Sequence, residues 1–60
     1  MKYIYFIHYD FSGGTGNTVF PASYPISKYD HIRAIEKGIE DKSGLNNVVI
    51  SNFILLGTEP

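Results

Sequence analysis

The 60-residue sequence contains no cysteine and no tryptophan. Without cysteine, neither a disulfide nor a thiolate metal site can stabilise the fold. His8 and His31 lie far apart in the sequence and share no carboxylate-rich cluster, so neither a metal site nor a cofactor is expected. A chain of this length buries only about 60% of the surface that its unfolded form exposes. Oligomerisation or a tightly packed core is therefore expected to supply the missing stability.

Charge of either sign is also scarce. Five basic and six acidic side chains give a net charge of −1, whereas nucleic-acid-binding domains are typically strongly basic. Direct contact with nucleic acid is therefore not expected. No apolar run reaches the roughly 18 residues that a transmembrane helix needs, and the tyrosine-rich N-terminal run is unlike a secretory signal. These absences predict a cytoplasmic protein without membrane contact.

Aromatic and β-branched residues are abundant, and they favour strands. Three strands are predicted, at about residues 2–11, 18–24 and 46–56. The glycines between the first two strands predict a hairpin loop, because glycine adopts positive φ freely. The second strand is expected at an edge of the sheet, since Pro21 cannot donate a ladder hydrogen bond.

One helix is predicted at about residues 28–43. Ile35 and Ile39 belong to an isoleucine stripe at helical spacing. Ser27 is the expected N-cap, and Gly44 suits the left-handed position that follows the last turn.

These elements predict a single α+β domain, residues 1–60, with the order β-β-α-β. The third strand is expected to pair antiparallel with the first, which gives a three-stranded antiparallel sheet of spatial order 2-1-3. The first strand is then central, and the helix covers one face of the sheet. A fraying tail is expected after residue 56.

The first strand is apolar on both of its faces, so the helix leaves one of them uncovered. We expect Ile4 and Phe6 beneath the helix, because tyrosine tolerates one apolar side and one hydrated end. The odd-numbered face would then expose several hundred Å² of apolar surface, which favours a homodimer or another partner. The alternative is that the loop and the C-terminal tail cover this face. The predicted partner or oligomer interface consists of Tyr3, Tyr5, Ile7, Tyr9, Phe11 and Phe53. The pattern leaves open which face of the third strand lies under the helix.

The glycine-rich segment is a candidate ligand loop with six residues: Ser12, Gly13, Gly14, Thr15, Gly16 and Asn17. It matches neither the dinucleotide fingerprint nor the Walker loop, because a strand follows it and no lysine comes after the glycines. A flexible hairpin is the favoured interpretation. In the alternative, its backbone N–H groups and the neighbouring tyrosines hold a small nucleotide.

His8 and Asp10 share a strand face and could form an acid–base dyad. No nucleophile accompanies them, so no catalytic residue is assigned and enzymatic activity is not expected. Tyrosines on a sheet can also stack on RNA bases, but the predicted tyrosine face carries no basic residue.

Three short strings carry a resemblance to known proteins. The chain resembles a loose group of very small bacteriophage and prophage proteins in its aromatic first strand "YFIHYDF", its glycine-rich turn ending in Gly16-Asn17, and the segment "GLNNVVISNFILL" after the helix. This resemblance transfers no functional residue. It implies a phage-encoded protein of the host cytoplasm that inhibits a defence system, as anti-CRISPR proteins do.

The sequence therefore predicts a small non-enzymatic binding protein that contacts a host protein or complex. The first alternative is a sponge that sequesters a small signalling nucleotide. The second is a small structural or assembly protein.

Overall fold

The computed structural model describes all residues, Met1–Pro60. It contains three strands and one helix in the order β1 (Lys2–Phe11), β2 (Gly14–Ala22), α1 (Tyr29–Ser43) and β3 (Val49–Glu59). The strands form one antiparallel sheet of order β2-β1-β3. This confirms the predicted α+β fold, the strand order and the central place of β1. Pro21 lies on the edge strand β2 as predicted.

The hairpin between β1 and β2 is tighter than predicted. Phe11 pairs with Gly14, so only Ser12 and Gly13 remain in the turn, and the positive φ of this region, 150°, is at Gly14. The Ser12 hydroxyl donates to the carbonyl of Asn46 at 3.3 Å and its backbone N–H to the same carbonyl at 3.2 Å. These bonds fix the turn against the connection between α1 and β3.

The helix ends at the predicted residue but begins differently. Gly44 adopts φ 74°, and its N–H donates to the carbonyl of Glu40 at 2.8 Å, which is the left-handed termination predicted for it. The predicted N-cap is wrong. Lys28 occupies that position without a side-chain hydrogen bond, since a lysine side chain has no acceptor to offer. The backbone N–H of Ser27 donates to Nδ1 of His31 at 3.2 Å.

The predicted assignment of the two faces of β1 is wrong. Tyr5, Ile7 and Tyr9 are buried and belong to the core with Ile35 and Ile39 of the helix. The remaining predicted interface residues are partly buried and pack against this core: Tyr3, Phe11 and Phe53. Large aromatic side chains fill the space between a lone helix and the sheet, and a tyrosine hydroxyl can still find a polar partner there.

Tyr5 shows how a buried tyrosine is accommodated. Its side chain is 3% exposed, and its hydroxyl accepts a hydrogen bond from the backbone N–H of Ile26 at 2.7 Å. Its ring meets that of Phe53 edge to face, with 5.7 Å between the ring centroids. The hydroxyl therefore satisfies a donor in the segment that leads to the helix, so it does not require solvent.

Two irregularities in the pairing of β1 with β3 decide which side chains of β3 face the helix. The register shifts between Ile4 and Tyr5 and again between His8 and Tyr9. Each shift inserts one extra residue into β3, namely Leu56 and Ser51, and so changes the phase of its alternation. The side chains on the helix side, opposite the odd-numbered residues of β1, are Ile50, Phe53 and Leu55.

The tail predicted to fray is part of the sheet. Glu59 pairs with Lys2, and Gly57 pairs with Ile4. The third strand therefore begins and ends about three residues later than predicted. Asn47, just before it, adopts a left-handed φ of 59°. Asparagine tolerates this conformation better than most residues.

Candidate binding surface

The side of the sheet opposite α1, which we call the open face, carries the even-numbered side chains of β1. At its centre Phe6 lies between Val19 on β2 and Ile54 on β3, each directly opposite it in the register. Directly opposite residues of antiparallel strands lie on the same face and contact each other. The three side chains thus form one row across the whole sheet.

This row remains exposed. The exposed fractions are 38% for Phe6, 52% for Val19 and 56% for Ile54. Further apolar side chains adjoin it, and the complete apolar patch consists of Ile4, Phe6, Val19, Pro21, Ile54 and Leu56. Its exposed area is on the order of 400 Å², which is as large as the largest patch of a typical monomer.

The apolar patch is exposed because the tyrosines of β1 occupy the face that the helix covers. The helix covers only one side of β1, and Tyr5 and Tyr9 occupy the covered side. The uncovered apolar surface predicted from the sequence is therefore present, but it lies on the opposite face and consists mainly of aliphatic side chains.

A polar row borders the apolar patch. His8 lies between Asn17 on β2 and Asn52 on β3, and Nδ1 of His8 lies 2.6 Å from Oδ1 of Asn17. The hydroxyl of Ser51 donates to the backbone carbonyl of His8 at 3.1 Å. Apolar centres with polar borders are typical of protein interfaces.

His8 makes no hydrogen bond with Asp10, its predicted acid–base partner. Both residues lie on the open face, but the hydrogen bond of the imidazole is made to Asn17. Asp10 is exposed and stands opposite Thr15 and Val49. No group of three or more side chains suited to metal binding occurs.

The glycine-rich segment does not form the predicted ligand loop. Four of the six residues belong to β2 and pair with β1: Gly14, Thr15, Gly16 and Asn17. The ring of Tyr9 lies against Gly16, where an added Cβ would stand 2.8 Å from its Cζ and Oη. Glycine at position 16 therefore allows the ring of Tyr9 to pack closely against the neighbouring strand of the hairpin.

None of the depressions of the surface is lined by Phe6 or Ile54, although Val19 takes part in the lining of one of them. One of about 350 Å³ lies between α1 and the start of β3 and includes Glu36 and Glu40 in its lining. Their carboxylates already accept hydrogen bonds from the backbone N–H groups of Val48, just before β3, and Ile50 in β3. A smaller depression of about 210 Å³ adjoins Ile4 and Leu56 at one end of the open face.

Sequence reasoning missed the role of these two glutamates. Glu36 is 4% exposed; it accepts from the N–H of Ile50 at 2.7 Å and pairs with Arg33 at 2.7 Å. Glu40 accepts from the N–H of Val48 at 3.0 Å. Their spacing of four residues places both on one side of the helix, and that spacing is the only signal the sequence offers.

No helix of the structure combines the length and the apolar character required to cross a membrane. No protein-family model, no curated protein and no solved structure matches this chain.

Proposed function

We propose that this chain is a small non-enzymatic binding protein that acts by protein–protein contact through the open face of its sheet. The observation that carries the proposal is the exposed row of Phe6, Val19 and Ile54 across all three strands. The largest apolar patch of a monomeric protein is often functional, and this row supplies the centre of that patch.

The size of the apolar patch fits one side of a protein interface. A standard interface buries about 800 Å² per partner, and a little over half of that area is apolar. The patch of on the order of 400 Å² matches this apolar share. Burying half of it at about 25 cal/mol per Å² contributes about 5 kcal/mol before the costs of association are subtracted.

The chemistry of the surroundings favours a protein over other partners. The net charge of −1 offers no attraction to a phosphate backbone. The polar row of Asn17, His8 and Asn52 supplies amide and imidazole groups that can hydrogen-bond to a peptide backbone at the border of the contact. The partner we propose is a folded protein with a flat apolar surface.

A non-enzymatic role is supported by the state of the candidate acid–base groups. His8 already shares a hydrogen bond with Asn17, and Asp10 is exposed on the rim of the sheet. Neither side chain lines one of the depressions of the surface.

A phage-encoded inhibitor of a host defence system stays a prediction, and so does a structural or assembly role. The nucleotide-sponge alternative relied on exposed tyrosines beside a flexible loop. Tyr5 and Tyr9 are buried, and residues 14–17 belong to the ladder, so these residues do not support this alternative, which stays a prediction.

The test is capture of a partner by the immobilised chain from a lysate of its source cells, with three variants compared. Phe6→Asp and Val19→Asp place a charge in the row, whereas Tyr29→Asp places one at a helix residue that is 68% exposed. We expect the wild type and Tyr29→Asp to capture the same protein in stoichiometric amount, and both open-face variants to lose it.

Reconstitution with the purified partner completes the test. Binding should show the negative heat-capacity change of apolar burial, and Val19→Asp should weaken it at least tenfold. Val19 lies on an edge strand, so this variant remains informative if Phe6→Asp fails to fold. Capture that is equal for wild type and Val19→Asp, or no stoichiometric partner at all, would overturn the proposal.

A further inference from the structure

The outer edge of β3 has two parts, which differ in whether helix side chains accept hydrogen bonds from their outward-directed backbone N–H groups. A strand at the edge of a sheet has only one neighbour, so alternate N–H and C=O groups are directed outward. In the first part, the N–H groups of Val48 and Ile50 donate to Glu40 and Glu36 at 3.0 and 2.7 Å. Helix carboxylates therefore cap this part and block the addition of another strand.

The second part of the edge, residues 53–59, receives no hydrogen bond from the helix. The N–H of Phe53 donates to the adjacent Asn52 side chain at 2.9 Å, and no side chain bonds the backbone of residues 54–59. The consecutive side chains Ile54, Leu55 and Leu56 are 56%, 49% and 59% exposed. An exposed apolar edge of this kind is a template for pairing with another strand.

We propose that residues 53–57 pair antiparallel with the same segment of a second copy of this chain. The inference concerns a different surface from the proposed contact through the open face, and either can hold without the other. Inward-pointing charges and lysine, which often protect edge strands, are absent from residues 53–58, and the extra residue at Leu56 is the one protective feature of this segment.

Self-complementarity favours a second copy over a foreign strand. A two-fold axis through the middle of the apolar run, at Leu55, places Ile54 opposite Leu56 of the other copy. The only charged side chain of β3, Glu59, then lies opposite Ser51 rather than opposite its own equivalent. Apolar residues therefore face apolar residues, and like charges are kept apart.

The pairing would also give Leu55 a contact. This side chain lies on the helix side of the sheet, yet it is about half exposed. A two-fold axis perpendicular to the sheet places both helices on the same side, with the two Leu55 side chains adjacent between them. The result is a six-stranded sheet in which the two open faces are continuous.

The expected dimer is weak. The segment is short, and the extra residue at Leu56 increases the local twist of the strand. The contact buries on the order of 500 Å² per partner, below the roughly 800 Å² of a standard interface. Dimerisation is therefore expected to depend on protein concentration.

The first experiment is sedimentation velocity over a wide range of concentrations. Leu55→Lys places a charge at the two-fold axis, and Val49→Lys is the matched control, since Val49 is similarly exposed on the same strand but lies in the capped part. The wild type and Val49→Lys should dimerise as concentration rises, whereas Leu55→Lys should remain monomeric. A wild type that stays monomeric, or a Leu55→Lys variant that dimerises normally, would overturn the proposal.

A second experiment needs no variant. Amide hydrogen exchange of the wild type should slow at the outward-directed amides of residues 53–57 as concentration rises, because only these amides lack a partner in β1. The amides of Val48 and Ile50 should keep the same protection at all concentrations. Exchange at the outward-directed amides of residues 53–57 that is independent of concentration contradicts the pairing. Phe6→Asp separates the two proposals, because a dimer that it abolishes and Leu55→Lys preserves would lie on the open face and not at this edge.

Discussion

The carboxylate of Glu36 accepts a hydrogen bond from the backbone N–H of Ile50 at 2.7 Å while its side chain is almost fully buried. A helix side chain thereby satisfies the backbone of an edge strand. Arg33 pairs with the second carboxylate oxygen at 2.7 Å, so the buried charge has both a backbone donor and a cation. The helix is therefore held to the sheet by a polar contact as well as by its apolar stripe.

Replacing Glu36 by Ala should destabilise the fold. The change leaves the N–H of Ile50 without its acceptor, and an unsatisfied buried donor costs about 1–3 kcal/mol. We expect a loss of about 2 kcal/mol in the free energy of unfolding, measured by urea denaturation at one fixed protein concentration. Glu36→Gln keeps an acceptor oxygen and should lose less.

The matched control for this prediction is Asp41→Ala, on the exposed side of the same helix. Surface substitutions of this kind usually change stability by less than about 0.5 kcal/mol. An equal effect of Glu36→Ala and Asp41→Ala would show that the contact with Ile50 does not stabilise the fold.

Gly16 is required by the aromatic ring packed over it. A Cβ at this position would lie 2.8 Å from Cζ and Oη of Tyr9, so Gly16→Ala forces the buried ring to move. Overpacking of this kind costs about 1–3 kcal/mol, and we expect a loss in that range. The measurement is again urea denaturation.

Gly57→Ala is the control for this steric effect. Nothing lies within 4 Å of a Cβ at this strand position, and its backbone φ is compatible with alanine. We expect stability within about 0.5 kcal/mol of wild type, because alanine also reduces the entropy of the unfolded chain. Similar losses for both glycines would contradict the packing explanation.

The strand order and the element types could be predicted from the sequence, because their signals are local. Tyrosine, isoleucine and phenylalanine in β1, the isoleucine stripe of the helix and Gly44 each indicate one structure. The open apolar surface was also predictable, since one helix cannot cover two apolar faces of a sheet.

The identity of the open face could not be predicted. Because β1 is apolar on both faces, its alternation of side chains does not indicate which face lies under the helix. That depends on which side chains fill the space between the helix and the sheet. On β3, the extra residues Ser51 and Leu56 change the phase of the alternation. No sequence pattern marks them, so Phe53 and Ile54 could not be assigned to faces in advance.

The hydroxyl of Tyr5 should contribute measurably to stability. It accepts the backbone N–H of Ile26 at 2.7 Å, and Tyr5→Phe removes that acceptor without changing the ring. We expect a loss of about 1–2 kcal/mol, together with faster hydrogen exchange at the Ile26 amide. Tyr29→Phe should change neither quantity, since Tyr29 is exposed. Unchanged exchange at Ile26 in Tyr5→Phe would contradict the assignment.

Gly38 in the helix couples to Phe20 on β2. A Cβ at residue 38 would lie 3.3 and 3.4 Å from Cζ and Cε2 of the Phe20 ring. These contacts are tight, but Phe20 lies on an edge strand and its side chain can shift by a few tenths of an ångström. Alanine is favoured over glycine by about 1 kcal/mol within a helix. We therefore expect Gly38→Ala to stabilise the protein by less than this amount, and to give the full gain in a Phe20→Leu background, where the ring is absent. The double-mutant cycle measures this coupling directly, and the same effect of Gly38→Ala in both backgrounds would show that the ring does not limit the approach of the helix to the sheet.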